Sequence, residues 1–305
     1  MNDPALPSDS PMEAPAAIQP GAADRPGAAL PNLIVIGAQK CGTSVLHYYL
    51  SLHPEVSMSN PKELNFFIAE RNFDRSLEWY SRHFDPTALC RGESSPNYTA
   101  YPQHLGVPER MAEVVPDARL VFLVRDPIAR ITAHWIHNYA KRREKGDLRA
   151  TLLHPNTSYV TRSKYHMQLA RFLEHYSEEQ VLVLDQNDLR DERMPTLRRV
   201  FEFAGIDASF EHPKFEQERH STSRKKRATK LGMRVQRASR TDFGRRVPRR
   251  AWLAMDQALP LAKPIDRPDP ATVIEALGPE VIEVLHEDAD RLRAQTGRDF
   301  AHWSV

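Results

Sequence analysis

The chain has 305 residues, 41% of them hydrophobic, and a formal net charge of +2. That length suits one large domain or two small ones with a sizeable core, and the near-neutral total excludes a polycation built for nucleic acid. Two cysteines, Cys41 and Cys90, cannot build a disulfide framework, so a reduced, cytoplasmic compartment is expected, and no apolar run approaches the roughly 20 residues that span a bilayer.

Residues 1–31 are rich in Pro, Ala and Asp and nearly free of large apolar side chains. They lack the basic start and apolar segment of a secretory signal and are expected to form a disordered tail, ahead of one domain over 32–305. "LIVIG" (33–37) is a continuous apolar run ending in glycine, the pattern of a buried parallel strand. A helix is expected from Thr43 to Leu52, stopping at His53-Pro54. "PEVSMSNPKELNFF" reads as a short strand, a loop and a turn, with Phe66 and Phe67 as core residues. Residues 75–84 predict a helix with Leu77, Tyr80, Ser81 and Phe84 on one side. "LCRGESSPNY" predicts a strand running into a loop, and 104–115 a helix.

"ARLVFLV" (118–124) is the clearest strand in the chain. It runs into "RDP", where Asp126 can cap a helix and Pro127 can take its first position. Ile128, Ile131, Thr132, Trp135, Ile136 and Tyr139 then recur at helical spacing. A helix at 162–176, a strand at 180–185 and a helix at 192–204 continue the alternation. Strands alternating with helices predict an α/β fold: a central parallel sheet with helices on both faces, in three layers. From 219 to 250 the chain carries many Lys and Arg and one acid, Asp242. Proline-rich linkers and an amphipathic helix at 279–296 complete the chain.

The first strand leads into "GAQKCGTS". A Walker A loop needs G-x-x-x-x-G-K-[ST]. Here Gly37 and Gly42 have that spacing, but Thr43 stands where the lysine belongs, and Lys40 sits inside the loop. Strand-loop-helix geometry still favours an anion at the helix N-terminus. The second strand ends in Arg125, not in an acid that would help hold a metal. A cation at that edge suits a second phosphate. The residues therefore describe a ligand with two separated phosphate groups and no obligatory metal, on a P-loop NTPase-like frame.

In that combination the chain resembles the sulfotransferases that use 3′-phosphoadenosine 5′-phosphosulfate (PAPS), especially their bacterial and heparan-sulfate-type branch. "IGAQKCGTSVLHYYLSLHP" resembles the 5′-phosphosulfate loop. "LVFLVRDPIARITAHWIHNY" resembles the 3′-phosphate motif R-D-P-x-x-R-x-x-S. "KELNFF" resembles E-x-H-F-F, and "GESSPNY" resembles E-K-T-P-x-Y. The likeness covers 33–210 and part of the C-terminus.

The resemblance implies that Lys40 neutralises charge on the leaving phosphate. Cys41, Gly42, Thr43 and Ser44 would surround the 5′-phosphate, and Arg125 would bind the 3′-phosphate. Glu63 would be the general base for the acceptor hydroxyl, with His134 and His137 as weaker candidates. Read without the resemblance, Glu63 is an exposed loop glutamate beside Lys62, and Arg125 a salt-bridged arginine. The motif's serine falls on Ala133, which implies one hydrogen bond fewer to the 3′-phosphate; Thr132, one helical step away, is not assumed to replace it. Ser94 stands where heparan-type members often carry Lys, which speaks against a strongly anionic polysaccharide as acceptor. In the basic tract Arg219, Lys225, Lys226 and Arg227 are candidates to complete the cofactor site, beside the plainer reading of a solvated helical face. Tyr165 is expected to pack rather than to stack on adenine.

The expected activity is transfer of a sulfuryl group from PAPS to a hydroxyl, less readily an amine, of a small-molecule, lipid or carbohydrate acceptor, without metal. The competing readings are an ATP-dependent small-molecule kinase on the same frame, and a non-catalytic nucleotide or nucleic-acid binder using the basic tract. Thr43 in the lysine position weighs against the first, and the near-neutral total charge against the second.

Overall fold

The computed structural model describes residues 29–144, 148–152, 155–217, 226–229, 234, 235, 237 and 261–305. Strand β1 (Leu33–Gly37) is buried along its whole length, as a strand covered on both faces must be. It lies in the middle of a five-stranded sheet of order β2 (Val56–Met58), β3 (Cys90–Ser94), β1, β4 (Arg119–Val124), β5 (Val181–Asp185). All four neighbouring pairs are parallel. After β1 the chain runs to the edge strand β2, returns to β3 beside β1, and then crosses to β4 and β5 on the other side. The carboxyl end of β1 is therefore the switch point at which open α/β sheets leave a crevice.

The helices connecting these strands pack around the sheet: α1 (Thr43–Leu50), α2 (Leu77–Ser81), α3 (Val107–Val114), α4 (Pro127–Ala140), α5 (Leu148–Leu152), α6 (Ser158–Thr161), α7 (Tyr165–Leu173), α8 (Gln186–Asp191) and α9 (Arg193–Ala204). Helix α4 starts as its sequence predicts, with Pro127 in the first turn and the Asp126 carboxylate accepting from the Ala129 N–H at 2.6 Å. Phe66 and Phe67 are core residues, and Tyr165 is buried against Phe122 and Trp303.

Several elements differ from expectation. The helix expected over 75–84 is confined to Leu77–Ser81, started by Ser76, whose hydroxyl accepts from Trp79 N. The helix expected from 162 begins at Tyr165, because the preceding residues close a separate turn, α6. Helices α5 and α8 are too short to leave a periodic signal. The C-terminal helix α10 (Pro270–Thr296) starts nine residues ahead of expectation. Gly278, at φ 75 and ψ 165, breaks it just before Pro279, so sequence periodicity picked out the second segment alone. The last residues return to the sheet: the Trp303 indole donates to Asp185 at 2.9 Å, and the Ser304 N–H donates to Asp126.

Strands β6 (Lys226–Ala228) and β7 (Ala262–Pro264) form an antiparallel pair. Arg219 and Lys225 lie outside the described residues, and Lys226 and Arg227 are described in backbone only. No helix among the described residues is long and apolar enough to cross a membrane.

Gly37, the last residue of β1, has a steric reason to be glycine. A Cβ there would lie 1.8 Å from Thr99 Oγ1. Gly37→Ala is expected to cost about 1–3 kcal/mol in urea unfolding, and adding Thr99→Ala should return part of it. A Gly37→Ala protein as stable as the parent would show that the two segments are not held at this distance.

Candidate functional site

The loop after β1 is held from both ends. Ala38 N–H donates to Leu123 O on β4 at 2.7 Å, which continues the sheet one step into the loop. Lys40 adopts φ 77 and Gly42 φ 100, two left-handed residues that turn the chain sharply into α1. Gly42 provides no side-chain cap, and the helix's own bonding begins with Val45 N–H donating to Gly42 O. The N–H groups of the first turn are thus presented outward, as at an anion-binding helix start. Lys40 Nζ stands 3.4 Å from His137 Nδ1 of α4.

Beneath the loop lies Arg130, fully buried. Its Nε donates to Gln39 O at 3.2 Å, its Nη1 to Tyr159 O at 2.8 Å and Ser163 Oγ at 3.0 Å, and its Nη2 to His134 Nδ1 at 2.6 Å. Among the described residues no carboxylate pairs with it. One guanidinium therefore ties the loop to α4, the end of α6 and the turn before α7. His134 is 5% exposed, and burial, followed by the Arg130 charge, holds its imidazole strongly towards the neutral form. This corrects the sequence reading of His134 as lying away from the packed face: its Nδ1 lone pair is taken up by Arg130.

Thr132 Oγ1 donates to Ile128 O at 2.8 Å, a bond to its own helix, so it does not stand in for the serine absent at Ala133. Ala133 is buried. Cys41 is also buried; its N–H goes to Ala38 O, its thiol lies 3.4 Å from the Tyr165 hydroxyl, and burial pushes the thiol up to about 11. Arg125 is half-buried at the end of β4, close enough for its charge to act on Cys41 and Arg130.

The facing wall carries Glu63. Its backbone sits at φ 65 and that of Asn65 at φ 50; asparagine tolerates this region, whereas a glutamate adopts it when its surroundings impose it. Here the surroundings do. Glu63 N–H donates to Ser94 O at 3.1 Å, Asn65 Nδ2 to Glu63 O at 2.6 Å, and Asn65 N–H to Ser95 Oγ at 2.9 Å. Ser95 in turn donates to Glu93, which also receives the hydroxyls of Tyr80 and Tyr98. Burial raises the pKa of Glu93, and these three hydroxyls oppose the rise. The Glu and Tyr of "GESSPNY" are therefore structural. The Glu63 carboxylate is 44% exposed, and the Lys62 ammonium lies 3.0 Å from it.

Lys40, Gly42, Thr43, Ser44 and Glu63 line one cavity of about 570 Å³. Cys41, Arg125 and Ala133 do not line it. His134, His137, Asn97, Arg71 and Arg162 do. Sequence reasoning missed Arg130 and Arg162. Arg130 is the second arginine of the quoted R-D-P motif, placed one helical turn before His134 on an otherwise apolar face. Arg162 and Lys164 precede the positive end of α7, where cations are disfavoured, and that misplacement was the available signal.

Comparison with known proteins agrees with this geometry. Residues 30–255 match the family model described as the sulfotransferase domain. Over 176 residues, 53% of this chain, it is 29% identical to the bifunctional heparan sulfate N-deacetylase/N-sulfotransferase 1 of Caenorhabditis elegans, of which the match covers 20%. Over 190 residues, 58% of this chain, it is 29% identical to human heparan sulfate glucosamine 3-O-sulfotransferase 5, covering 54% of that protein. The match thus spans a fifth to about half of these relatives' own length. The crystal structure of a sulfotransferase from Alicyclobacillus acidocaldarius superposes with a TM-score of 0.63 over 91% of this chain and all of that one, at 23% identity, a likeness of fold.

Arg130→Lys keeps the charge but cannot reach four acceptors. It should lower stability by about 3 kcal/mol in urea unfolding, and a loss below about 1 kcal/mol would show that the guanidinium is not the tie described. His47 offers a second test. Its Nδ1 lies 3.1 Å from Ser94 Oγ, and burial, then the Lys62 charge, against the opposing Glu63, hold it down to about 4. As pH falls below about 6.5 the unfolded chain takes up a proton that the folded chain refuses, so stability is lost. Between pH 7 and 5 this amounts to on the order of 2 kcal/mol. His47→Gln should flatten that acid limb, and an unchanged slope would assign it to other groups.

Proposed function

The chain belongs to the sulfotransferase family, and on that premise we propose that it transfers the sulfuryl group of PAPS to a hydroxyl of a small-molecule, lipid or carbohydrate acceptor. The observation that carries this reading is the shared cavity: a lysine and an open helix start on one wall, a carboxylate on the other. PAPS supplies the activated sulfur–oxygen bond. The first turn of α1, with the Thr43 and Ser44 hydroxyls, holds the 5′-phosphate, as exposed N–H groups and the helix dipole favour.

Lys40 places an ammonium on the leaving phosphate oxygen, where negative charge grows as the bond to sulfur breaks. Glu63 accepts the proton of the acceptor hydroxyl as the new sulfur–oxygen bond forms. Its carboxylate is 44% exposed, so an acceptor hydroxyl can reach it. Arg125 binds the 3′-phosphate, at the end of β4 and outside the cavity that Glu63 lines. With Ala133 beside it, that phosphate receives one side-chain hydrogen bond fewer than the family motif provides. The curated relatives are named for action on heparan sulfate, which favours a carbohydrate among the acceptor classes.

Two measurements test the reading together. In thermal melts 3′,5′-ADP should stabilise the protein without Mg²⁺, and ATP should add little; greater stabilisation by ATP with Mg²⁺ points instead to a kinase. Glu63→Gln should keep 3′,5′-ADP binding and lose roughly 10²–10⁴-fold in sulfate transfer. Retained turnover removes Glu63 as the base.

A further inference from the structure

The cavity is lined by more than the residues needed for sulfuryl transfer: Arg71 and Arg162 also line it. Arg162 is 8% exposed and meets only neutral partners: its Nε donates to Gln103 Oε1 at 3.3 Å and its Nη1 to Asn97 Oδ1 at 3.0 Å. Its Nη2 has no partner among the described residues. Burial, and then the repulsive charges of Arg130 and Arg71, bring it down to about 10. Glu70, next to Arg71 in the chain, is exposed and paired with His104 at 3.2 Å. Two guanidinium groups thus line the cavity that Glu63 also lines, one of them buried with no carboxylate partner among the described residues, where an uncompensated charge is costly.

The same arginine is fixed relative to Glu63. Arg162 holds Asn97, Asn97 Nδ2 donates to Asn65 Oδ1 at 3.0 Å, and Asn65 Nδ2 donates to Glu63 O. This chain of three side-chain bonds links the buried guanidinium to the Glu63 backbone. We infer that Arg71 and Arg162 form a subsite of the cavity for an oxyanion carried by the acceptor, a carboxylate, sulfate or phosphate displayed beside the hydroxyl offered to Glu63. The inference rests on the sulfotransferase reading for the identity of that hydroxyl. On this reading Arg71 and Arg162 supply positive charge in the cavity where Ser94 supplies none.

The test uses two sugars that differ in one group, para-nitrophenyl β-glucuronide and para-nitrophenyl β-glucoside. Their binding to the full chain is measured by calorimetry, with and without 3′,5′-ADP. The glucuronide should bind roughly tenfold or more tightly than the glucoside, the range of one charge-assisted contact. Arg162→Gln should erase the preference, and Arg71→Gln, at an exposed position that does not threaten folding, should reduce it several-fold. Circular dichroism melts establish that each variant is folded.

A wild-type protein with no preference for the glucuronide overturns the inference, and so does a preference kept in both variants. If Arg162→Gln weakens 3′,5′-ADP by the same factor, the guanidinium serves the nucleotide and the inference also falls. Failure of the sulfotransferase reading shows itself separately, as wild-type protein that does not bind 3′,5′-ADP while the sugar comparison is still read without nucleotide.

Discussion

The site depends on one buried guanidinium. Arg130 is surrounded by carbonyl, hydroxyl and imidazole acceptors, and no carboxylate among the described residues neutralises it. Arginine is the side chain that can do this, because its planar fork carries five donors and stays protonated even when burial lowers its pKa. Its bonds fix the position of Gln39, and hence the direction in which Lys40 and the start of α1 face. The charge left over is not lost. It adds to the positive end of α1 and to Lys40, so the loop is stable as a backbone and unsatisfied as an electrostatic object until an anion arrives.

The opposite wall achieves rigidity by a different route. Glu63 holds a left-handed backbone angle that its own chemistry does not favour, and Asn65 holds one that its local side-chain bond to Glu63 O supports. Asn65 bonds to both of its neighbours in the network, Ser95 bonds to Asn65 and Glu93, and Glu93 is anchored by two tyrosines. A polar network this deep is tolerable because each of its members finds a partner. The loop of Lys40 follows β1, and Glu63, in the loop after β2, is pinned by its N–H to Ser94 O at the carboxyl end of the adjacent β3. The two walls are thus both referenced to neighbouring strands of one sheet.

Much of this was legible in the sequence. The strands β1 and β4 declared themselves as apolar runs, and the cap at Asp126 and Pro127 appears where local chemistry places it. Lys40, Thr43, Ser44 and Glu63 do share one cavity. What the sequence hid has a common cause. Arg130, Arg162, Asn65 and Asn97 act through contacts 29 to 91 residues away in the chain, and no periodicity reports such distances. His134 was misplaced for a different reason: its partner Arg130 is one turn away on the same helix, and a histidine reads as polar until its lone pair is seen to be occupied. The break at Gly278 was visible as a Gly-Pro pair, but two short helical segments in line leave weaker periodicity than one.

The charge layout of the cavity limits what can enter it. Lys40, Glu63, Arg71 and Arg162 all line it. An acid placed beside Glu63 would meet its carboxylate and be repelled; a neutral hydroxyl there can donate to it. An acid placed beside Lys40 or the arginines meets cations instead. On the proposed reading the phosphosulfate takes the lysine. A ligand with an oxyanion on the arginines is then aligned by attraction at that group alone, without any contact to the oxygen that reacts. Such an arrangement separates recognition from chemistry: the arginines choose the acceptor, and Glu63 meets whichever hydroxyl that choice brings within reach.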